Sequence, residues 1–297
     1  MKKEPLISIV VITYNSSKYV LETLDSAKAQ TYQNIELIVS DDCSTDNTVE
    51  ICRNWIEENK GRFVRTELVT VERNTGISAN CNRGFKTVKG EWIKGIAGDD
   101  ILFPYAIESV VEFINDRNMD DISLVVSAIK VFKEQLDNVL YIWPTFAISE
   151  DINKQLKRVL IGSYIIAPGV FIKTETYNKV GGISLRYPML EDTPLWINFL
   201  TNGYKFYHLN KTLVGYRIHA NSISNGSEIP KKFFFDSLYN FKMEVVLPLL
   251  RERRYYFNYV VQYQRYKILN KITATQKMNS FDKLLLKILY KINRLII

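Results

Sequence analysis

The sequence predicts an α/β fold: an open, mostly parallel, Rossmann-like sheet with helices on both faces, followed by a C-terminal helical extension. Three observations predict it. Four β-branched apolar runs recur through the first hundred residues, each followed by a stretch with helical spacing. The first two runs are apolar with little alternation, as strands covered on both faces require. Each run is followed by a short polar break, and in open sheets of this kind ligands bind where the strands end.

The elements follow in order. Residues 6–12 form the first run, broken by Thr13-Tyr14-Asn15-Ser16-Ser17. A helix is expected over 18–29, where Tyr19, Val20, Leu24 and Ala27 fall near helical spacing. A second strand over 35–40 ends in the polar turn Asp41-Asp42-Cys43-Ser44-Thr45-Asp46, and a helix follows over 47–58. A third strand is expected at 68–71, then the turn Asn74-Thr75-Gly76 and a helix over 77–88. The fourth strand closes on Gly98-Asp99-Asp100, and Ile101-Leu102-Phe103-Pro104 is expected to open a helix. Strand–helix alternation of this regularity gives a parallel sheet.

After Asp116 the alternation loosens. Strands are expected over 123–131, 139–142 and 169–172, with a helix over 153–161 and a turn at Gly181-Gly182. Leu190-Glu191-Asp192-Thr193-Pro194 starts a helix that runs to about Thr201. Pro194 suits its first turn, and Asp192 its N-cap or the place beside it. Two further strands are expected, over 204–209 and 213–217.

The acidic pair Asp99-Asp100 ends a buried strand, and burying an unpaired charge is costly. A hard divalent cation, Mn²⁺ or Mg²⁺, takes one or two carboxylates and fills its shell with water and phosphate oxygens. Taken alone, the triplet reads equally as an exposed loop with a capping aspartate. It does not stand alone. Tyr14-Asn15, Asp41-Asp42 and Arg73-Asn74 fall at the same edge of the expected sheet, and their convergence favours a metal–nucleotide site.

Composition sets the outer bounds. The chain has 297 residues, 46% apolar and 24% charged, as in soluble globular proteins. Its net charge of +7 is uneven: residues 230–297 hold 14 Lys/Arg against 4 Asp/Glu, the remainder 25 against 28. The body is therefore not a nucleic-acid binder. Three cysteines without CxxC spacing argue against a disulfide framework or a zinc site. No apolar run reaches the ~18–20 residues of a membrane span, and no signal-peptide pattern is present.

These motifs together carry a resemblance. Ile9-Val10-Val11-Ile12-Thr13-Tyr14-Asn15, then Val39-Ser40-Asp41-Asp42, Asn74-Thr75-Gly76-Ile77-Ser78, Gly98-Asp99-Asp100, Leu190-Glu191-Asp192 and Tyr216-Arg217-Ile218-His219-Ala220-Asn221-Ser222-Ile223-Ser224 occur in that order. The chain resembles the family 2 glycosyltransferases of GT-A fold, the class used in bacterial polysaccharide and O-antigen assembly. The resemblance covers roughly residues 6–224. It implies a GT-A domain over 1–229, with a nucleotide-binding half (1–116) and an acceptor-binding half (117–229), and an extension over 230–297.

The resemblance also implies roles. Thr13, Tyr14 and Asn15 would lie at the nucleotide sugar, Tyr14 stacking on the base and Asp42 accepting the uracil N3–H. Arg73 and Asn82 would lie on the nucleotide side; Cys81 stands where relatives often carry arginine, which puts a contact from that position in doubt. Asp100 matches the acid that contacts the metal and Asp99 its neighbour near ribose and metal, while Gly98 replaces the first acid of the motif. Asp192 matches the general base and Glu191 the residue that orients the acceptor. His219 would reach the metal or diphosphate, or be structural, and Arg217 would neutralise diphosphate. His208 is taken as structural.

The implied reaction is an inverting, metal-dependent transfer from a UDP-sugar donor to a glycan or lipid-linked sugar acceptor in surface polysaccharide synthesis. Two alternatives stand beside it. A nucleotidyltransferase making nucleotide sugars would need a Gly-rich basic loop after the first strand, where Thr13-Tyr14-Asn15-Ser16-Ser17 stands. An inactive membrane-associated scaffold would not need Asp42, Asp100 and Asp192.

In the extension, Lys283, Lys287, Lys291 and Arg294 line one helix face among leucines and isoleucines, the pattern of an interfacial helix on an anionic membrane. Phe233-Phe234-Phe235 beside Lys231-Lys232, and Tyr255-Tyr256-Phe257, are candidates to join that face. The alternatives are a helical cap on the catalytic body and a homodimer interface. The expected location is cytoplasmic, peripheral on the inner face of a bacterial plasma membrane.

Overall fold

A computed structural model describes residues 4–117, 122–143, 149–162, 165–220 and 232–295. The elements run β1 (Ile7–Thr13), α1 (Val20–Lys28), β2 (Ile35–Asp41), α2 (Thr48–Asn59), β3 (Arg65–Val69), α3 (Ile77–Lys86), β4 (Trp92–Ala97), β5 (Ile101–Leu102) and α4 (Ala106–Arg117). Then come β6 (Leu124–Lys133), β7 (Val139–Trp143), α5 (Ile152–Ile161), β8 (Val170–Lys173), α6 (Thr174–Lys179), α7 (Thr193–Thr201) and β9 (Tyr207–Ile218). The extension is α8 (Lys232–Phe241), a π-helical turn at Lys242–Val246, α9 (Leu247–Glu252), α10 (Tyr256–Thr275) and α11 (Ser280–Leu295).

One sheet carries the order β3-β2-β1-β4-β8-β6-β9-β5, with β7 hairpinned onto β6. The β3-β2-β1-β4 half is parallel throughout. β8 joins β4 and β6 antiparallel, and β9 then runs parallel to β6. The near-continuous apolar runs have their reason here. Ile9, Val11, Leu37 and Val39 pack with α1, α2 and α4 on one face, whereas Val10, Ile38 and Ile93 pack with α3, α5 and α7 on the other.

Three expectations are corrected. Residues 101–104 open no helix: Ile101 and Leu102 pair with Gly215 and Val214 of β9, and Phe103 donates its N–H to Leu213. This pairing spans over a hundred residues and leaves no local trace; α4 begins only at Ala106. The third strand lies at Arg65–Val69 because its register is set by Glu36–Ser40 of β2. Glu36, fully buried, meets Arg65 at 2.8 Å, so a charged residue sits where an apolar pattern placed none. The strands expected at 204–209 and 213–217 are one strand, β9, whose register against β6 shifts between Ser127 and Ile129.

The extension is not a free appendage. Phe241, Val246, Leu247 and Leu250 join the core cluster of Leu195, Trp196 and Phe199. Phe235 is buried, so within Phe233-Phe234-Phe235 only Phe233 is strongly exposed. α11 packs on α10 and turns Phe281, Leu284 and Ile288 outward, with Lys283, Lys287 and Lys291 exposed beside them. Among the described residues no helix is long and apolar enough to cross a membrane. Asn221-Ser222-Ile223-Ser224, the 229/230 boundary and Lys231 lie outside the described residues, as does the Arg294 side chain.

Candidate active site

The carboxyl ends of β1, β2 and β4 meet along one edge, as the parallel registers Thr13↔Asp41 and Ile12↔Ala97 require. Past β4 the chain turns at once, with Gly98 donating its N–H to Ile12 and Asp100 its N–H to Ala97. A Cβ at Gly98 would sit 2.8 Å from Thr13 Cγ2 and 3.1 Å from Ser16 Oγ. The turn is too crowded for a side chain there, which is a physical reason for glycine at that place.

Asp100 is fully buried. Its Oδ1 accepts the Arg217 backbone N–H at 2.9 Å, and its Oδ2 has no hydrogen-bond partner. Burial, then the Asp99 charge, push its carboxyl well above the usual range. Asp99 Oδ2 lies 2.9 Å from His219 Nε2, and the His219 ring packs 4.9 Å from Tyr19. A buried, unpartnered carboxylate oxygen beside a second carboxylate fits a divalent cation. Among the described residues no group of three or more His, Cys, Asp and Glu side chains converges. The chain therefore offers the one or two carboxylates that Mg²⁺ takes when substrate phosphates and water complete the shell.

Arg217 has a structural role that its motif did not suggest. Its guanidinium is wholly buried. It donates to the Asp99 carbonyl at 2.7 Å, to Glu22 at 2.7 Å and to the Glu134 carbonyl, and lies between the Tyr19 and Phe132 rings. In this geometry it braces the acidic turn, and it lines the same cavity as Asp99 and Asp100. Glu22 and Glu134 belong to no recognisable motif, so sequence reasoning had no signal for this bracket.

On the nucleotide side, Tyr14 is 49% exposed, which leaves its ring able to stack. Asn15 takes a left-handed backbone (φ 51°), which asparagine tolerates. Its N–H reaches Ser44 and its Oδ1 accepts from Thr45. Thr13 is buried and donates to Asp41 at 2.7 Å, so it supports the edge from below. Arg73 is exposed in the loop after β3.

Asp42 is buried and accepts from Thr75 N, Thr75 Oγ1, Gly76 N and Arg83 Nη2 at 2.6–2.9 Å. Burial pushes its carboxyl up, but these hydrogen bonds outweigh it and hold it below the usual range. A base N–H reaches this carboxylate only by displacing one of those donors. Arg83 was missed from sequence. It lies two places beyond Cys81, on α3, and its Nη2 meets Asp42 at 2.7 Å; the signal was an arginine two helical turns after the Asn74-Thr75-Gly76 turn. Asn82 bonds Tyr177 and both the N–H and C=O of Ile183, bracketing the Gly182 turn.

Asp192 N-caps α7, accepting from Thr193 N and from Thr193 Oγ1, with Pro194 in the first turn. Burial raises its carboxyl; the Thr193 donors and the Lys242 charge pull it back. Glu191 is pushed to about 8 by burial and by Asp192. Each carboxyl disfavours charge on the other, and the Thr193 donors favour charge at Asp192.

One cavity of about 600 Å³ joins the two acidic pairs. Asp99, Asp100, Glu191 and Asp192 all line it, with Cys81, Ile166, Pro168, Met189, Trp196 and, from α8, Phe234 and Leu238. Tyr14, Asp42 and Arg73 are not among its lining residues.

Comparison with known proteins identifies the family and the fold. Residues 8–171 match the family described as Glycosyl transferase family 2. "Glycosyltransferase GlyG" of Streptococcus pneumoniae serotype 4 is 30% identical over 228 residues, covering 73% of this chain and 72% of that protein. The Escherichia coli "UDP-Glc:alpha-D-GlcNAc-diphosphoundecaprenol beta-1,3-glucosyltransferase WfaP" is 27% identical, covering 74% and 80%. S. aureus TarS residues 1–349, solved in complex with UDP, superposes with a TM-score of 0.58 at 19% identity, covering 81% of this chain and 65% of that one; this likeness is one of fold. The chain spans 31% of the length of a matched Rickettsia felis relative and 66% of two others from Rickettsia. The matched span, more than half the chain, carries the strand ends and the metal-type acids described above, and the chain belongs to glycosyl transferase family 2.

Proposed function

We propose that the chain transfers a sugar, with inversion, from a UDP-sugar to a glycan acceptor carried on a lipid, in bacterial surface polysaccharide synthesis. The observation that carries the proposal is the single cavity joining Asp99-Asp100 to Glu191-Asp192. A leaving diphosphate and an acceptor hydroxyl need those two kinds of carboxylate on opposite sides of one sugar. The apolar lining toward Phe234 and Leu238 supports an acceptor with an apolar carrier, the chemistry named for WfaP.

Each residue then has a task. Tyr14 stacks on the base, and the Asp42–Arg83 pair, with Arg73, borders it. Asp100 and Asp99 hold Mn²⁺ or Mg²⁺, which when bound offsets charge on the leaving diphosphate. His219 orients Asp99. Asp192 accepts the proton of an acceptor hydroxyl as its oxygen bonds to the anomeric carbon. The bond from that carbon to the diphosphate oxygen breaks, and its electron pair leaves with UDP. Glu191, protonated, donates a hydrogen bond to the acceptor. Outside the cavity, the exposed Phe281, Leu284 and Ile288 with Lys283, Lys287 and Lys291 support seating of α11 on an anionic lipid surface.

The test is a panel of nucleotide sugars with Mn²⁺ or Mg²⁺, scored by UDP release with and without a lipid-diphosphate sugar, and by the anomeric configuration of the product. Acceptor-dependent UDP release from a UDP-sugar with inverted product supports the proposal. Release from none of the panel, or retained configuration, contradicts it.

A further inference from the structure

Two side chains hold Asp99, and both rest against one ring. His219 Nε2 lies 2.9 Å from Asp99 Oδ2, and Arg217 donates to the Asp99 carbonyl at 2.7 Å. The Tyr19 ring packs 4.9 Å from the His219 ring and 4.5 Å from the Arg217 guanidinium carbon. Tyr19 is buried and N-caps α1, just after the polar loop 13–17. Its phenol donates to the Glu134 carboxylate, which also pairs with Lys18 Nζ at 3.0 Å. The Lys18 pair is exposed and so worth little. The phenol bond is part-buried and charge-assisted, which makes it the stronger of the two.

Glu134 lies in the turn between β6 and β7 with a left-handed backbone (φ 58°). Glutamate rarely adopts that conformation, and it persists where the surroundings fix it. Here the Glu134 N–H donates to the Ile218 carbonyl at 3.1 Å, and the Glu134 carbonyl accepts from Arg217. The residue is thus built onto the end of β9, while its carboxylate reaches the start of α1. Packing against a ring orients a side chain only when the ring is itself fixed. Burial fixes the body of Tyr19, and Glu134 fixes its tip. We infer that Glu134 is a positioning residue for sugar transfer: by anchoring the Tyr19 phenol, it steadies the surface on which His219 and Arg217 hold Asp99. This rests on the proposed role of Asp99 and Asp100 at the metal and diphosphate.

The experiment uses the full chain and compares Tyr19→Phe, Glu134→Asn and the double variant with the parent. Tyr19→Phe keeps the ring and removes only the hydroxyl. Glu134→Asn is too short and uncharged, yet tolerates the left-handed backbone. The readouts are UDP affinity by calorimetry, with and without Mn²⁺, and the His219 ring resonance in the metal-free protein. The chain has two histidines, so His208 serves as the internal reference. Each single variant lowers UDP affinity in Mn²⁺ about tenfold, the worth of one hydrogen bond to a charged group. Affinity without Mn²⁺ stays within about twofold, and the double variant is no worse than the singles, as two ends of one link require. The His219 resonance moves in each variant and that of His208 does not. If Glu134→Asn fails to fold, Tyr19→Phe carries the same expectation. Parental affinity in Mn²⁺, equal loss with and without it, additive losses, or an unmoved His219 resonance each overturn the inference. The two readings fail separately. If UDP binding by the parent does not depend on Mn²⁺, the role of the acidic turn fails, and the His219 resonance still tests the anchor. If it does and the folded variants match the parent, only the role of Glu134 fails.

Discussion

Arg217 donates its backbone N–H to Asp100 Oδ1 at 2.9 Å, joining the end of β9 to the acidic turn across 117 residues of chain. Its side chain completes the bracket through the Asp99 carbonyl and Glu22. The two motifs that carry these residues are thus one structural unit. The arginine adds a long-range tie to the local turn in which Asp100 donates its N–H to Ala97.

Replacing Arg217 by Met strips donors from two carbonyls and a carboxylate at once. A buried acceptor left without its donor costs about 1–3 kcal/mol, so the variant loses on the order of 3 kcal/mol or more in urea unfolding. Metal-dependent UDP binding weakens with it, because the Asp99 carbonyl loses its donor while the residue 217 N–H still holds Asp100. Equal midpoints for parent and variant contradict the bracket.

At Gly98 the expected outcome is steric. The Cβ of Gly98→Ala meets Thr13 Cγ2 at 2.8 Å, and overpacking of this kind costs about 1–3 kcal/mol. The measurement is a thermal melt with and without Mn²⁺ and UDP. The ligands' stabilising shift shrinks in the variant because the turn that carries both acids has moved.

How much of this was legible in the sequence depends on the range of the interaction. The parallel half was legible, because Ile9, Val10, Leu37 and Ile38 are apolar to suit two covered faces and the polar breaks mark the strand ends. The N-cap at Asp192 was legible from Pro194. The β5–β9 pairing, Arg65 on buried Glu36, and the Arg217 bracket were not: each is a contact between segments separate in sequence, and no local pattern shows which partner a residue meets. Asn82 shows the converse, a residue matched by motif whose hydrogen bonds go to Tyr177 and Ile183.

Glu191 gives a pH signature of stability. Its folded value of about 8 lies above the ordinary 4.5, so between those limits the folded state binds more protons than the unfolded one. Stability contributed by the protonated form is whole below about pH 4.5 and is lost as pH rises through 8. Glu191→Gln removes this loss. The variant melts a few degrees above the parent at pH 8 (about 2–4 °C per kcal/mol for a chain approaching this size) and closer to it at pH 5. A gap that does not grow with pH contradicts the raised Glu191 carboxyl beside Asp192.

The α11 surface is tested with vesicles. Leu284 and Ile288 are 57% and 43% exposed, so Leu284→Asp with Ile288→Asp leaves the fold intact. The parent sediments with vesicles containing anionic lipid and is released by high salt, whereas the double variant stays in the supernatant. Equal sedimentation of both, or of parent with neutral and anionic vesicles alike, contradicts a basic interfacial helix.

The central claim is that Asp192 takes the acceptor proton in the cavity it shares with Asp99 and Asp100. Its most direct test is acceptor-dependent UDP release by the parent chain and by Asp192→Asn, with UDP affinity measured on both. The account predicts that kcat falls by about 10²-fold or more, the span of general-base catalysis, while UDP affinity stays within about twofold. Turnover by Asp192→Asn within a few-fold of the parent contradicts it.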